Sequence, residues 1–192
     1  MFILLFLIAC TVAYLIGSIP TAYIVGKLFY KKDIRDFGSK NSGATNTLRV
    51  FGWKAALFVL IIDLLKGYLA VSIHGTHVMQ LFLSLSVLLG HIFPIFAKFK
   101  GGKGVAVTYG CFLSIGPVLT IIPIFVWILT LLKWRISSLS SLLSIFSFAI
   151  SFLIFGANIK VIILAVITFI IISWTHRENI TRILHNLERE IW

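Results

Sequence analysis

Apolar positions along this chain run in long blocks; they do not alternate with polar ones. The first block covers residues 2–25 and is interrupted by Gly17-Ser18-Ile19-Pro20. A polar stretch follows at 27–54. Two more blocks, 55–73 and 78–97, are joined by His74-Gly75-Thr76-His77. The segment 105–116 is apolar but short, about 18 Å as a helix, against roughly 30 Å of bilayer hydrocarbon. Pro117 separates it from 118–132, and blocks at 139–155 and 161–174 complete the series. These blocks predict an all-α fold with about seven transmembrane helices, the first kinked near Pro20. Five crossings, with the short segments re-entrant, is the alternative. The first block lacks a basic leading region, so it reads as a helix and not as a signal peptide. Beyond residue 178 the pattern changes. Ile180, Ile183, Leu184, Leu187 and Ile191 recur at helical spacing with charges between them, which predicts a C-terminal interfacial amphipathic helix.

Composition agrees with the blocks. Of the 192 residues, 59% are hydrophobic and 12% charged, with a mean hydropathy of +1.06. Soluble domains carry about 25% charged residues, and disordered chains combine low hydrophobicity with high charge; both classes are excluded. A single polytopic membrane domain over 1–192 is expected. The formal net charge is +11. In a soluble protein that would suggest nucleic-acid binding, but here no nucleic-acid partner is expected. Of 17 Lys and Arg residues, 15 fall in 27–54, 98–103, 133–135 and 177–189. These stretches share one side if the N-terminus is outside and the C-terminus is cytoplasmic, as the positive-inside rule requires. Attraction to membrane lipids or to phosphorylated substrates is compatible with the same charge. Cys10 and Cys111 lie in apolar blocks with no CxxC or Cys/His cluster, so neither a metal site nor a cofactor is expected.

Three polar clusters fall on this expected cytoplasmic side. The first runs from Asp36 through Gly38-Ser39-Lys40-Asn41-Ser42-Gly43-Ala44-Thr45-Asn46-Thr47 to Arg49. Its glycines and short polar side chains let backbone N–H groups approach an anion. Thr45-Asn46-Thr47 offers a helix cap, and Arg49 offers a bidentate fork for phosphate. The second, Lys98-Phe99-Lys100-Gly101-Gly102-Lys103-Gly104, places three glycines and three lysines just before an apolar helix. It is not a GxxxxGK[ST] loop, yet it suits phosphate at a helix N-terminus. The third is Trp174-Thr175-His176-Arg177-Glu178-Asn179-Ile180-Thr181-Arg182. Its His and Asn beside two Arg suit orientation or deprotonation of a hydroxyl near an anion. The plain alternatives are a polar loop, a basic juxtamembrane loop and an interfacial anchor.

Other signals are structural at first reading. His91 sits deep in an apolar run. Asp63 and Lys66, three apart, are placed to pair on one helix face, since each alone at mid-membrane costs roughly 2.5–3.5 kcal/mol. Arg135 with Ser137, Ser138, Ser140 and Ser141 is a further anion-facing edge, although serines also pack membrane helices.

Together the clusters resemble the bacterial acyl-phosphate:glycerol-3-phosphate acyltransferase family, the PlsY type. The matching segments are Gly17-Ser18-Ile19-Pro20-Thr21-Ala22-Tyr23 through Asp33-Ile34-Arg35 to Arg49, then Gly90-His91-Ile92-Phe93-Pro94 through Val105-Ala106, then His176 through Arg182 with Glu188. The family's usual glycine two places before that Glu is Asn186 here, and its usual Thr after Val-Ala is Val107. The resemblance implies a seven-helix membrane acyltransferase of the bacterial plasma (inner) membrane, with its active site facing the cytoplasm. It would transfer a fatty acyl group from acyl phosphate to the 1-hydroxyl of glycerol 3-phosphate, giving lysophosphatidic acid and phosphate for phospholipid biosynthesis. Gly38, Ser39, Asn41, Gly43, Thr45 and Asn46, with Gly101 and Gly102, would bind the phosphates. Arg49 and Lys103 would supply catalytic charge. Ser138, His176 and Asn179 would contact glycerol phosphate, the last two as catalytic residues.

The HxxxxD pair of many acyltransferases is absent. The fifth residue counted from each His is Met79, Phe82, Phe96, Thr181 or Glu190. His176 and a substrate phosphate oxygen therefore remain as alternative bases. A phosphate-ester transporter is the rival from another class; it predicts inverted repeats of interrupted helices, and none is evident. A structural membrane subunit would not need three anion-binding clusters.

Overall fold

The computed structural model describes residues 1–72 and 76–191, and every regular element among them is helical. The α-helices are α1 (Phe2–Gly17), α2 (Thr21–Phe29), α3 (Ala44–Phe51), α4 (Trp53–Ser72), α5 (His77–Ile92), α6 (Val105–Ile115), α7 (Pro117–Trp134), α8 (Ser137–Ile154), α9 (Ile159–Thr175) and α10 (Arg177–Leu184). Single 3₁₀ turns stand at Ile34–Asp36 and Ile95–Ala97.

Each of the seven expected apolar blocks is largely helical over its described residues. Five stretches are long and apolar enough to cross a membrane: Phe2–Phe29, Trp53–Ser72, His77–Ala97, Pro117–Trp134 and Ser137–Ile154. A sixth arises if α9 and α10, bent by 68°, count as one span. The 11-residue α6 remains, at about 16 Å, too short to cross unaided. The break near Pro20 is as expected: α1 stops at Gly17, and Pro20 precedes the first residue of α2. Of the turn expected at His74-Gly75-Thr76-His77, His74 and Gly75 lie outside the described residues. Thr76 caps α5, its hydroxyl accepting from Met79 N at 3.4 Å.

The chain divides into two compact units, Met1–Ile115 and Gly116–Trp192. In the first unit α1 packs on α5 and α4 on α6. Both pairs approach backbone to backbone through reciprocal glycines. A Cβ at Gly67 would collide with Val107 O, and one at Gly110 with Leu64 O; Gly17 and Gly90 bear the same relation to Val87 O and Tyr14 O. Lipid tails supply no hydrophobic drive for helix association, so close small-residue contact and dispersion hold such pairs. Between them, among the described residues, lies one buried charge pair of the span interior. Lys66 Nζ donates to Asp63 Oδ1 at 2.7 Å, as the three-residue spacing predicted. Thr21 Oγ1 donates to the same oxygen at 2.9 Å, and Lys66 also reaches Ile19 O at the α1–α2 break. Lys66 thus adds a second donor to a carbonyl at the proline break that also accepts from Thr21 N at 3.0 Å.

In the second unit α8 packs against both α7 and α9, and α10 packs on α8 and α9. Six of the seven serines of α8 are buried, Ser147 being the exception. Ser151 Oγ donates to Leu119 O at 3.1 Å, and Trp127 Nε1 donates to Ser141 Oγ at 3.3 Å. The C-terminal amphipathic helix needs correction. It ends at Leu184, one residue before His185, so Leu187 and Ile191 are not helical. The chain turns at Asn186, whose φ is +57°. Asparagine tolerates the left-handed region better than most side chains, which accounts for its place where glycine is usual in the family. Beyond the turn, Ile191 N donates to Arg135 O at 2.9 Å. Leu184 and Leu187 remain exposed, so an apolar edge persists without a continuous helix.

Candidate active site

In the first unit the Asp36–Arg49 cluster folds around one side chain. Asn46 is 1% exposed. Its Nδ2 donates to Ile34 O (3.2 Å), Phe37 O (3.1 Å) and Asn41 O (3.0 Å), and its Oδ1 accepts from Ser39 N (2.8 Å). Gly38 makes this possible: its φ is +60°, and any Cβ there would strike Asn46 Oδ1. The helix cap expected at Thr45-Asn46-Thr47 falls earlier, at Gly43, which has extended backbone angles, with Thr47 Oγ1 donating to Gly43 O at 3.0 Å. Asn46, in the first turn of α3, looks back into the loop. Arg49 lies three residues on, one turn further along the same face, and is half-buried.

Upstream, Arg35 holds the loop's entry. It forms a two-point ion pair with Asp33 (Nε–Oδ1 2.9 Å, NH2–Oδ2 2.8 Å) and donates to Ala97 O at 3.0 Å. That fork lowers the Asp33 pKa below its ordinary value.

The second cluster lies against the first. Gly101 N donates to Ile92 O at 3.2 Å and Gly102 N to His91 O at 3.1 Å. These two amides, expected to face an anion, therefore already donate to the C-terminal turn of α5. The glycines are required for proximity. A Cβ at Gly101 would meet His91 O, and one at Gly102 would meet the His91 ring and Ser42 O. Gly102 and Ser42 thus bring the two loops into contact. Lys103 follows, half-buried, and Gly104 (φ +91°) leads into α6. Beside these loops is a cleft of about 380 Å³ whose lining includes Arg35, Lys40, Lys98 and Lys100 with Asp33 and Asp36. All three lysines lie in the polar clusters that the sequence marks, Lys40 in the first and Lys98 and Lys100 in the second, although none is among the individually assigned site residues. Lys40 and Lys98 take positive φ (+58° and +57°), a conformation that no sequence motif reveals.

In the second unit Ser138, Asn179 and Arg182 share one partner. Glu188 Oε1 accepts from Ser138 Oγ (2.9 Å) and Asn179 Nδ2 (2.5 Å), and its Oε2 accepts from Arg182 Nε (2.6 Å). The carboxylate is 6% exposed. Burial alone would raise its pKa, but the donors together outweigh burial and hold it below 4.5. Ser138 has one hydroxyl proton and spends it on Glu188, so its oxygen is left as an acceptor. His176 is buried, and its Nδ1 lies 2.8 Å from Ile172 O. A carbonyl only accepts, so this contact places a proton on Nδ1 and makes Nε2 the acceptor nitrogen of the neutral ring. Sequence reasoning matched Glu188 to a family position without seeing that it gathers Ser138, Asn179 and Arg182 across fifty residues.

The lowered pKa fixes a sign. A depressed carboxylate stabilises the fold above its unfolded value and loses that contribution as pH falls through its folded value. Glu188→Gln is expected to lower the apparent Tm by about 5 °C near neutrality. The gap from wild type should shrink as pH falls from the ordinary Glu value through the lower folded one, where protonation disables the native clamp too. Thermal unfolding of both proteins across pH checks this; a gap independent of pH would contradict it.

The family profile described as glycerol-3-phosphate acyltransferase matches residues 7–186. Curated relatives with that description include one from Listeria welshimeri, 42% identical over 185 residues (93% of each chain), and glycerol-3-phosphate acyltransferase 2 of Bacillus anthracis, 46% identical over 182 residues (93% of this chain, 95% of that one). Two crystal structures of PlsY (YgiH), an integral membrane glycerol 3-phosphate acyltransferase, superpose at 34% identity over 96% of this chain and 94% of theirs. The TM-score is 0.92 for the glycerol 3-phosphate form and 0.89 for the lysophosphatidic acid form. With its apolar helices and these matches running nearly end to end, the chain belongs to the glycerol-3-phosphate acyltransferase family and is an integral membrane protein of the PlsY type.

Proposed function

We propose that this protein transfers a fatty acyl group from acyl phosphate to the 1-hydroxyl of glycerol 3-phosphate in phospholipid synthesis. We place it in the bacterial plasma membrane, with residues 1–192 acting as one polytopic domain, the N-terminus outside and the site facing the cytoplasm. The observation that carries this reading is the contact of the two glycine-containing loops at Gly102 and Ser42, with Arg49 and Lys103 following them. Two phosphate-bearing substrates repel each other, so bringing hydroxyl to carbonyl requires cationic groups on a fixed backbone.

Asn46 acts by holding the Gly38–Asn41 turn, and Gly101 and Gly102 act by letting their loop approach α5. With Ser39, Asn41, Gly43 and Thr45 they shape the phosphate site, while Arg49 and Lys103 supply charge. Ser138, His176 and Asn179 contact glycerol phosphate, Ser138 by accepting from a glycerol hydroxyl. The hydroxyl oxygen forms the ester bond to the acyl carbon and the C–O bond to phosphate breaks. The hydroxyl proton leaves with the phosphate, whose oxygen serves as base, and His176 orients the hydroxyl through Nε2. No metal or cofactor is required, because acyl phosphate is already activated.

The test is lysophosphatidic acid and phosphate release by purified protein given palmitoyl phosphate with and without glycerol 3-phosphate, with acyl-CoA as control donor. Release dependent on both substrates, and absent with acyl-CoA, is expected. Product from acyl-CoA alone would overturn the donor; no product from either would favour a transporter. In the same assay His176→Ala is expected to raise the glycerol 3-phosphate KM about tenfold and keep most of kcat. A loss of kcat beyond 10³-fold would instead make His176 the base.

A further inference from the structure

His91 first reads as a structural histidine in an apolar helix, but its surroundings are specific. The ring is 8% exposed. Its Nδ1 is 3.9 Å from Asp63 Oδ1, the oxygen that also takes Lys66 and Thr21. Its Nε2 end faces Gly102, where a Cβ would collide with it, and the same virtual atom would meet Ser42 O. The residue's own carbonyl accepts from Gly102 N at 3.1 Å. One side chain therefore lies between the buried ion pair and the point where the two loops touch.

We propose that His91 is a positioning residue for the acyl-transfer site: its ring, braced by the Asp63–Lys66 pair, sets the seat of Gly102 and through it the placement of Lys103. This rests on the phosphate-site reading above. An apolar ring could fill the space. It could not lean on Asp63, because an aliphatic or phenyl edge beside that carboxylate leaves the charge less well solvated in a low-dielectric interior. The α1–α2 break contributes at the far end, since Lys66 also reaches Ile19 O. A run of contacts thus leads from the proline break to the loop that carries Lys103.

Two isosteres separate the ends of the ring. Glutamine places its amide where Nε2 stood; asparagine reaches only as far as Nδ1. His91→Gln keeps the Gly102 end but loses the contact with Asp63, so it is expected to raise the KM of at least one phosphate substrate only modestly, about threefold. His91→Asn is expected to raise at least one such KM tenfold or more, with kcat at saturation within threefold. Amide hydrogen exchange supplies a readout independent of donor chemistry: in His91→Asn the 98–104 segment should exchange at least tenfold faster, with α4 and α6 unchanged. Uniformly faster exchange through α4, α5 and α6, together with kcat and KM impaired alike in both variants, would make His91 a packing residue and overturn the proposal. Wild-type KM and local exchange in His91→Asn would overturn it too. If wild-type protein makes no lysophosphatidic acid from palmitoyl phosphate, the donor reading fails on its own, and the exchange contrast still decides whether His91 seats the loop.

Discussion

Arg49→Lys is expected to lower kcat/KM for acyl transfer by roughly 10²-fold, and Arg49→Ala by roughly 10³-fold, with little change in thermal stability. The two variants separate charge from geometry. Lysine keeps one positive charge on a flexible stem, but it cannot offer the planar pair of N–H groups that matches two phosphate oxygens. Arg49 sits in the last turn of α3, on the face that carries Asn46, so its direction is set by a short helix whose first turn is tied into the Gly38–Asn41 loop. A lysine there would retain attraction for the dianion and lose registry. The loss should therefore appear in kcat as well as KM, because orientation of the acceptor against the carbonyl is what a proximity catalyst provides. Steady-state kinetics over both substrate concentrations, with circular dichroism to confirm the fold, checks this. Wild-type kcat/KM in Arg49→Lys would show that only charge matters at this position, and wild-type activity in Arg49→Ala would remove it from the site.

Much of the fold was legible because the bilayer forces simple patterns. Blocks of apolar residues must be helical when no water is present to satisfy the backbone, and all seven are largely helical over their described residues. Asp63 and Lys66 were readable as a pair because helix geometry puts residues three apart on one face. The site was less legible. Glycines and short polar residues marked the loops correctly, but they suggested N–H groups turned toward an anion. In the structure Ser39 N is taken by Asn46, Gly101 N by Ile92 O and Gly102 N by His91 O. Composition names donors; only tertiary contact reveals which of them already have acceptors. The tail shows the same limit. The helical spacing of Leu187 and Ile191 is real in the sequence, yet Asn186 takes a positive φ and the chain turns so that Glu188 meets Ser138, Asn179 and Arg182. Three charge-assisted hydrogen bonds to one buried carboxylate outweigh the modest preference of a short amphipathic segment to continue as helix.

Asn46→Asp is expected to abolish acyl transfer, leaving under 1% of wild-type kcat/KM, although the substitution changes only an NH₂ to an oxygen. Asn46 is almost wholly buried, with two amide protons shared among three carbonyls and its own oxygen receiving Ser39 N. Aspartate retains the last contact. It turns the other three into a carboxylate oxygen facing carbonyl oxygens, with no proton between them. Each buried polar group left unsatisfied costs about 1–3 kcal/mol, and more when charged. The added negative charge would also oppose phosphate beside it. Alanine in the same place leaves carbonyls unpaired but adds no charge, so Asn46→Ala should be the milder change, retaining more activity and a higher apparent Tm than the aspartate. This order follows from a clamp role. Were Asn46 instead a direct phosphate donor with no hold on the loop, both variants would raise KM and leave exchange over 34–42 untouched. Hydrogen exchange of that segment, measured alongside kinetics at pH 7, distinguishes the two. Faster exchange across 34–42 in both variants, larger in the aspartate, is the expected result. Protection equal to wild type would mean that the loop keeps its shape without Asn46 and that the clamp is not what builds the site.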